Sequence, residues 1–561
     1  MNTNTTSSFF TKSTNSTTGG TPLLMNNQEN SQNIKNKNLE FMVNIRRSDR
    51  KNIIRNNRFK NVMKITGQQN QEPGVMIMTS EGLVSTDQKK SVNGFPQNLN
   101  HLDKVKDAQR IYKIIKDVAN FEPDINNLKA YLELIKNGER IQKHQAIIYL
   151  RKMLSDKNKL PIQQTIDLNG VPLLIELAKD TSELHLRMEA TWCLANLVSG
   201  NSQQTLTLIN KNIIQLFHSI LDDHYPQIVE QAIWGLGNII GDSVHMRQMV
   251  VKSNVINKLI LILNENRGTN IQKHIIWCLS NALRIKPKKE QYIFMKNSVY
   301  SLIVAFKTYN DVEIKTDCLF GISEYCKPQL LSNFTEDDFL MSLRQFYQHI
   351  YSQDKEYAII KPEISAIHKI VGNITNGDDF DTAKIINQGF LRDLCLMLKI
   401  DDDMCKREIC WILSNIAAGT SNQIGSLLNE PNLFDNLVNL LYNSKKEIQR
   451  EALWAICNMT KNCSQEQLSF LIQHNIFGVF KEFISMDKDT KMIILILEAI
   501  PNLLERSMVE NESGVKQSPL IDVMYDCGIA DIISDLQRHE SDHVYEKCLQ
   551  ILEKFFDLEE Y

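Results

Sequence analysis

Five segments decide the fold of this chain: TWCLAN (Thr191–Asn196), IWGLGN (Ile233–Asn238), IWCLSN (Ile276–Asn281), CWILSN (Cys410–Asn415) and LWAICN (Leu453–Asn458). They hold all of its tryptophans, and each tryptophan is followed four residues later by asparagine: Trp192/Asn196, Trp234/Asn238, Trp277/Asn281, Trp411/Asn415 and Trp454/Asn458. Neighbouring pairs stand 42 or 43 residues apart, and the third and fourth are separated by about three such periods. A period of this size belongs to helical repeats that stack into a solenoid, each packing only on its neighbours. On a helix, an offset of four puts both side chains on one face. The chain thus repeats one small contact device along a surface, an arrangement suited to a long, extended ligand.

The residues around each pair sharpen that expectation. On the helix through Glu189 to Gly200, Ala190, Cys193, Leu194 and Leu197 form an apolar stripe. Trp192 falls about 200° from Ala190 at 100° per residue, and Asn196 falls with it. In the next repeat Ile233, Leu236, Gly237 and Ile240 make the stripe, while Trp234 and Asn238 lie off it. A lone helical tryptophan usually belongs to a core. Five in phase, off the stripe and each with a polar partner, predict surface recognition instead.

Extending the register gives about ten repeats. Ile141–Leu154 is the first, with Leu150 and Leu154 at the Trp/Asn positions. Phe320 and Glu324 hold those positions in the fifth and Lys369 and Asn373 in the sixth; Leu495–Glu505 is a ninth and His543–Asp557 a tenth. Within a unit, a Gly- or Asn-marked turn precedes an apolar helix such as VPLLIELAKD, and the helix with the pair follows. Gly200, Gly241, Gly377 and Gly419 are placed to break helices, and residues 507–519 read as a polar inserted loop. The fold class is all-α, a right-handed superhelical solenoid over 106–561.

Residues 1 to about 105 are rich in Asn, Ser, Thr and Lys and poor in aliphatics, a composition that predicts a largely disordered arm. Within it, a basic segment at about 39–64 centres on IRRSDRKNIIRNNRFK, where Arg46, Arg47, Arg50, Lys51, Arg55, Arg58 and Lys60 are opposed only by Asp49. This run either folds as a basic helix on a partner or stays a solvated charge run. The first hundred residues hold 13 Lys and Arg against 6 Asp and Glu, a surplus of 7; the whole chain is at −3, so the remainder carries −10. A basic arm beside an acidic body suggests self-association, or a body that prefers basic ligands, and this balance argues against nucleic-acid binding by the body.

The 11 cysteines are scattered, with no CxxC and no zinc spacing, so buried reduced thiols are expected and no metal or cofactor. Residues 1–20 are polar, and the richest apolar run, Ile493–Leu497, is far too short to span a bilayer. No P-loop, GxSxG, HExxH or dinucleotide fingerprint occurs, which argues against an enzyme.

The segments QAIIYLRKMLSDKNKLPIQQTIDLNGVP, EQAIWGLGNIIGD, REICWILSNIAAGTSNQI, REALWAICNMT and DTKMIILILEAIPNLLE resemble the armadillo-repeat domain of the importin-α family over roughly residues 119–557. The resemblance implies a nuclear import adaptor that shuttles between cytoplasm and nucleus. It binds basic nuclear localisation peptides of cargo proteins in its groove, importin-β through the N-terminal segment that holds Arg46 to Arg58, and a nuclear export receptor through the last repeat. Carried over by position, a major peptide site uses Trp192, Asn196, Ser199, Gly200, Thr205, Trp234, Asn238, Asp242, Trp277 and Asn281. A minor site uses Lys369, Asn373, Trp411, Asn415, Glu451, Trp454 and Asn458. Departures from the family pattern are His274 for an asparagine in the groove, Phe320 and Glu324 for an aromatic pair, and Lys369 for an arginine.

The chemistry of these residue types supports the same reading. An extended peptide leaves its backbone N–H and C=O groups unpaired, and an asparagine carboxamide offers both a donor and an acceptor. Indole faces attract the stems and cationic heads of Lys and Arg. Asp242 and Glu451 favour cations over neutral side chains. Glu324 either recruits a further cation or faces solvent. The competing reading is an armadillo scaffold not engaged in transport, whose groove would carry Lys and Arg in place of the asparagines.

Overall fold

The computed structural model describes residues 76–79, 82–85, 123–156, 160–265, 267–284, 292–325, 336–353, 362–486, 489–510 and 516–556, all within the unit Met76–Tyr561. The basic segment around Arg46–Arg58 lies outside the described residues. Met76–Thr79 and Gly82–Ser85 pair as antiparallel strands, inside the stretch that composition alone leaves without regular structure.

Ten helices form one continuous layer: α1 (Arg140–Met153), α2 (Leu184–Leu197), α3 (Pro226–Asp242), α4 (Thr269–Ala282), α5 (Val312–Tyr325), α6 (Pro362–Thr375), α7 (Asp403–Ala417), α8 (Lys446–Lys461), α9 (Thr490–Arg506) and α10 (Asp542–Phe555). Each packs on the next without a break from α1 to α10, and each also packs on the helix that precedes it in its own repeat, Gly170–Lys179 against α2 and Phe390–Met397 against α7 being two cases. This is the ten-unit register read from the Trp/Asn spacing. A helix held between two like neighbours and backed by a third is apolar on most of its circumference, which is why α2 and α3 bury most of the residues they carry.

Two backbone devices recur at the same period. The residue opening the second helix of a repeat adopts the left-handed conformation: Asn169, Asn212, Asn254, Asn432 and Asn475 at φ of 56° to 62°, and Gly389 and Gly528 at 80° and 75°. Asparagine and glycine are the residues that enter this region at least cost, so the Gly- or Asn-marked turn has a definite geometry. The second device starts the short first helix. Asn201, Ser243, Asp378, Thr420 and Ser464 each accept a backbone N–H three residues on. At Asn201, Thr420 and Ser464 a glutamine side chain, Gln204, Gln423 or Gln467, returns to the cap's own N–H and completes a capping box. Gly200 and Gly419 precede two of these caps, and a Cβ on either would stand 2.3 Å or 1.7 Å from the returning glutamine oxygen. They end helices by making room for the box and not by a left-handed turn. Gly241 ends nothing: it lies inside α3, because its repeat closes with Asp242 and Ser243. The polar insertion at 507–519 also differs from expectation, since Val509–Glu510 and Lys516–Gln517 pair as two short strands.

Ionic contacts stitch successive repeats. Arg140 and Arg151 of α1 pair with Glu183 and Glu189 at 2.7 Å each. Between them His144 and His185 share a hydrogen bond through their Nδ1 atoms at 2.8 Å, and burial first, then mutual repulsion or Arg151, lowers both imidazoles to about 4. A second hub ties the sixth repeat to the seventh. The buried Asp393 carboxylate accepts from Arg344 Nε at 2.5 Å, from Gln348 Nε2 at 3.1 Å and from Tyr351 Oη at 3.1 Å. The described cysteines are free, and burial pushes thiols such as Cys193, Cys318 and Cys457 well above their usual range, which keeps them protonated. Among the described residues no helix is long and apolar enough to cross a membrane.

Candidate functional site: the indole and carboxamide rows

The layer of ten helices brings the Trp/Asn pairs into two rows, one on α2, α3 and α4 and the other on α7 and α8. The helical wheel predicts both rows on an open surface, but neither row stands clear of packing. Trp192, Trp234 and Trp277 are only 9 %, 5 % and 7 % exposed. Trp411 and Trp454 are half-buried. The reason is that the side of a wall helix turned away from its own repeat's core still faces the next wall helix.

The seating is specific. A Cβ on Gly237 of α3 would stand 2.1 Å from the Trp277 ring, and one on Gly372 of α6 would stand 2.0 Å from the Trp411 ring. Each of these indoles therefore lies flat on a glycine of the preceding wall helix. The carboxamide one turn later bonds to the same place. Asn238 Nδ2 donates to the Ala195 carbonyl, Asn415 Nδ2 to that of Gly372 and Asn458 Nδ2 to that of Ser414, all at 3.0 Å. Ala195, Gly237, Ser414 and Gly372 are the residues immediately before an asparagine in the repeated segments. A small residue there is a signal present in every segment and missed on first reading. It admits the following indole and offers its carbonyl to the following carboxamide. One N–H of each amide is committed to the wall in this way, and an amide has a second N–H and an acceptor oxygen.

The first row is filled from within the protein. There the Arg151 guanidinium lies 4.5 Å from the Trp192 ring centre, held by Glu189. Asn196 donates to Ser155 Oγ, so both members of this pair are engaged by the first repeat. The Trp234 and Trp277 rings stack on each other at 5.4 Å and 24°, and His274 meets Trp234 edge-on at 5.6 Å while its Nε2 stands 3.4 Å from Glu230. An aliphatic stem clasped between two rings needs roughly 7–8 Å, two contacts of about 3.5–4.0 Å. The slot between Trp234 and Trp277 is closed at this spacing. Asn238 is fully buried, Asn281 is 7 % exposed and Thr205 is buried on the Val198 carbonyl. Ser199 bonds the Asn196 carbonyl, and Asp242 accepts from Ser202 Oγ at 2.7 Å next to Gly200. The sequence-predicted lysine-pocket residues are therefore neighbours in space.

In the second row Trp411, Asn415, Glu451, Trp454 and Asn458 are all half-buried. Glu451 stands one turn before Trp454, and after burial it is the group that raises the Cys410 thiol of α7, so its charge faces the neighbouring helix. Asn373 is 8 % exposed and donates to its own helix at the Lys369 carbonyl. Glu324 neither meets solvent alone nor waits for an outside cation: Lys369 Nζ donates to it at 3.2 Å. Between the two rows the wall thus carries an ionic rung in place of an indole rung.

Comparisons with known proteins agree with this architecture. The armadillo/beta-catenin-like repeat family matches residues 158–199 and 427–461, and the atypical Arm repeat family matches 518–561. Importin subunit alpha-1b of Oryza sativa subsp. japonica is 26 % identical over 443 residues, 78 % of this chain and 80 % of the relative. Importin subunit alpha-5 of Arabidopsis thaliana is 29 % identical over 429 residues, 73 % and 77 % of the two chains. The protein named "Probable importin subunit alpha-A" of Dictyostelium discoideum is 28 % identical over 461 residues, 78 % and 80 %. Among solved structures, an engineered protein superposes with a TM-score of 0.60 at 19 % identity, over 76 % of this chain and 98 % of its own, which speaks to the fold. With its ten-helix wall, its Trp/Asn register and these relatives, the chain is an armadillo-repeat protein similar to importin alpha subunits over about three quarters of its length.

Proposed function

We propose that this protein is a nuclear import adaptor. Its wall helices bind basic localisation peptides of cargo proteins, and its N-terminal basic segment, Arg46, Arg47, Arg50, Lys51, Arg55 and Arg58, engages importin-β. The observation that carries the reading is the recurrence of one indole and one carboxamide at the same station of α2, α3, α4, α7 and α8, with Asp242 and Glu451 alongside. Indole and carboxylate together select the stem and head of Lys or Arg, each well-placed cation–π contact contributing about 0.5–2 kcal/mol. Carboxamides grip a peptide backbone irrespective of sequence. Several weak stations in series make affinity rise steeply with the number of basic residues. The adaptor is non-catalytic in this reading, shuttles between cytoplasm and nucleus, and is returned by an export receptor that contacts the last repeat.

Fluorescence anisotropy with a labelled lysine- and arginine-rich peptide tests this directly. The full chain should bind it and should bind an acidic peptide of the same length at least about a hundredfold more weakly, the effect of two lost charge-assisted contacts. Equal affinity for the two peptides would return the protein to the class of scaffolds outside transport.

A further inference from the structure

We propose that the join between the first and second repeats is an acid-sensitive latch, closed while His144 and His185 are both neutral and opened locally, ahead of the rest of the solenoid, when they gain protons. The geometry is built for the neutral pair. The two Nδ1 atoms stand 2.8 Å apart and share one hydrogen bond, so one of them must keep its lone pair and the closed join holds no more than one extra proton. That proton would have to sit on the Nε2 of the donating ring. His144 Nε2 is buried without a hydrogen-bond partner, 3.7 Å from Glu183 Oε2, and His185 Nε2 stands 3.8 Å from Glu189 Oε1. Both carboxylates lie beyond hydrogen-bond reach of the rings and are engaged by arginines at 2.7 Å, Glu183 by Arg140 and Glu189 by Arg151. An imidazolium at His144 would be a buried cation with no acceptor within reach of its Nε2. The charged groups that act on the pair are Arg140 and Arg151 of α1, Glu189 of α2 and Glu183, the residue that opens α2. Leu128–Asn137, Gly170–Lys179 and α3, which pack on the same two helices, supply none of these four.

The direction of the effect follows from linkage. When α1 parts from α2, both rings meet water and return to the ordinary histidine value of 6.5, whereas in the closed join burial above all holds them at about 4. The open form therefore binds more protons. The latch is at full strength above about 6.5 and weakens progressively as the pH falls towards about 4. It also sits where opening costs least. Among the described wall helices α1 has a wall neighbour on one side only, and an end repeat can leave the stack without unmaking the others. What α1 covers gives the opening a consequence. Arg151 lies 4.5 Å from the Trp192 ring centre, and Ser155 Oγ accepts from Asn196. Both contacts leave with α1, so mild acid uncovers the first Trp/Asn pair and leaves the later pairs packed.

Amide hydrogen exchange of the full chain, read by mass spectrometry and corrected for the intrinsic pH dependence of exchange, tests the latch. Between about pH 7.5 and about pH 5.5 the protection of residues 140–153 should fall about a hundredfold relative to that of residues 446–461, about tenfold for each ring. The double variant His144→Asn/His185→Asn keeps a donor and an acceptor at the join but cannot titrate, and its relative protection should change by less than about threefold. His185→Asn alone should show about a tenfold fall, and it decides the matter if the double variant leaves α1 open at every pH. An equal fall in residues 446–461, a hundredfold fall that persists in the variants, or none in the unaltered chain overturns the proposal.

Discussion

Replacing Trp277 with alanine is expected to lower the stability of the solenoid by about 3–5 kcal/mol, the range for deleting a buried aromatic side chain. The indole is 7 % exposed, covers Gly237 and stacks on Trp234. Its removal leaves a void bounded by α3 and α4, whose spacing is fixed by the rest of their contacts. Trp454→Ala, at a half-buried ring, should cost clearly less. Urea denaturation followed by circular dichroism measures both. A Trp277→Ala midpoint no lower than that of Trp454→Ala would contradict the deeper burial of the Trp277 ring.

The second large effect is expected at Asp393. Its carboxylate gathers Arg344, Gln348 and Tyr351 at the join between the sixth and seventh repeats. Asp393→Ala leaves the Arg344 guanidinium beside a void with its ionic partner gone. Breaking one side of a fully buried pair costs about 3–5 kcal/mol; Arg344 is 30 % exposed and keeps its bond to the Gln388 carbonyl, so the loss should fall at or below the lower end of that range. Asp393→Asn keeps an acceptor oxygen and should fall between the two. Because solenoid repeats communicate only with neighbours, the loss should appear as early amide hydrogen exchange in residues 337–353 and 390–397, with the first repeats still protected. Uniform loss of protection along the chain would show that the hub is not local.

Much of the fold could be read from residue spacing, because the features that set it are local and periodic. The tryptophan period gave the number of wall helices. The asparagines at 169, 212, 254, 432 and 475 marked turns whose left-handed backbone few other residues accept. What escaped the sequence depends on residues about 40 positions apart meeting through space. A helical wheel assigns one inner and one outer face, and it placed Trp192 and Trp234 outside. It carries no knowledge that another wall helix, with a glycine or alanine at the matching height, covers that side. The pairing of Arg151 with Trp192, and of Lys369 with Glu324, is likewise invisible to any single-helix pattern, since each partner alone reads as an ordinary surface charge. The small residue before each asparagine was the one local clue to the seating. Gly241 was misassigned because a glycine near a helix end resembles a helix breaker whichever side of the end it occupies.

The central claim is that cationic side chains of an extended peptide rest on the indoles of wall helices. A photo-crosslinking lysine analogue placed at each basic position of a bound peptide tests it most directly. Adducts should map to the wall helices that carry the pairs, Leu184–Leu197, Pro226–Asp242, Thr269–Ala282, Asp403–Ala417 and Lys446–Lys461. Adducts confined to the first and second helices of the repeats, with none on any wall helix, would contradict the account.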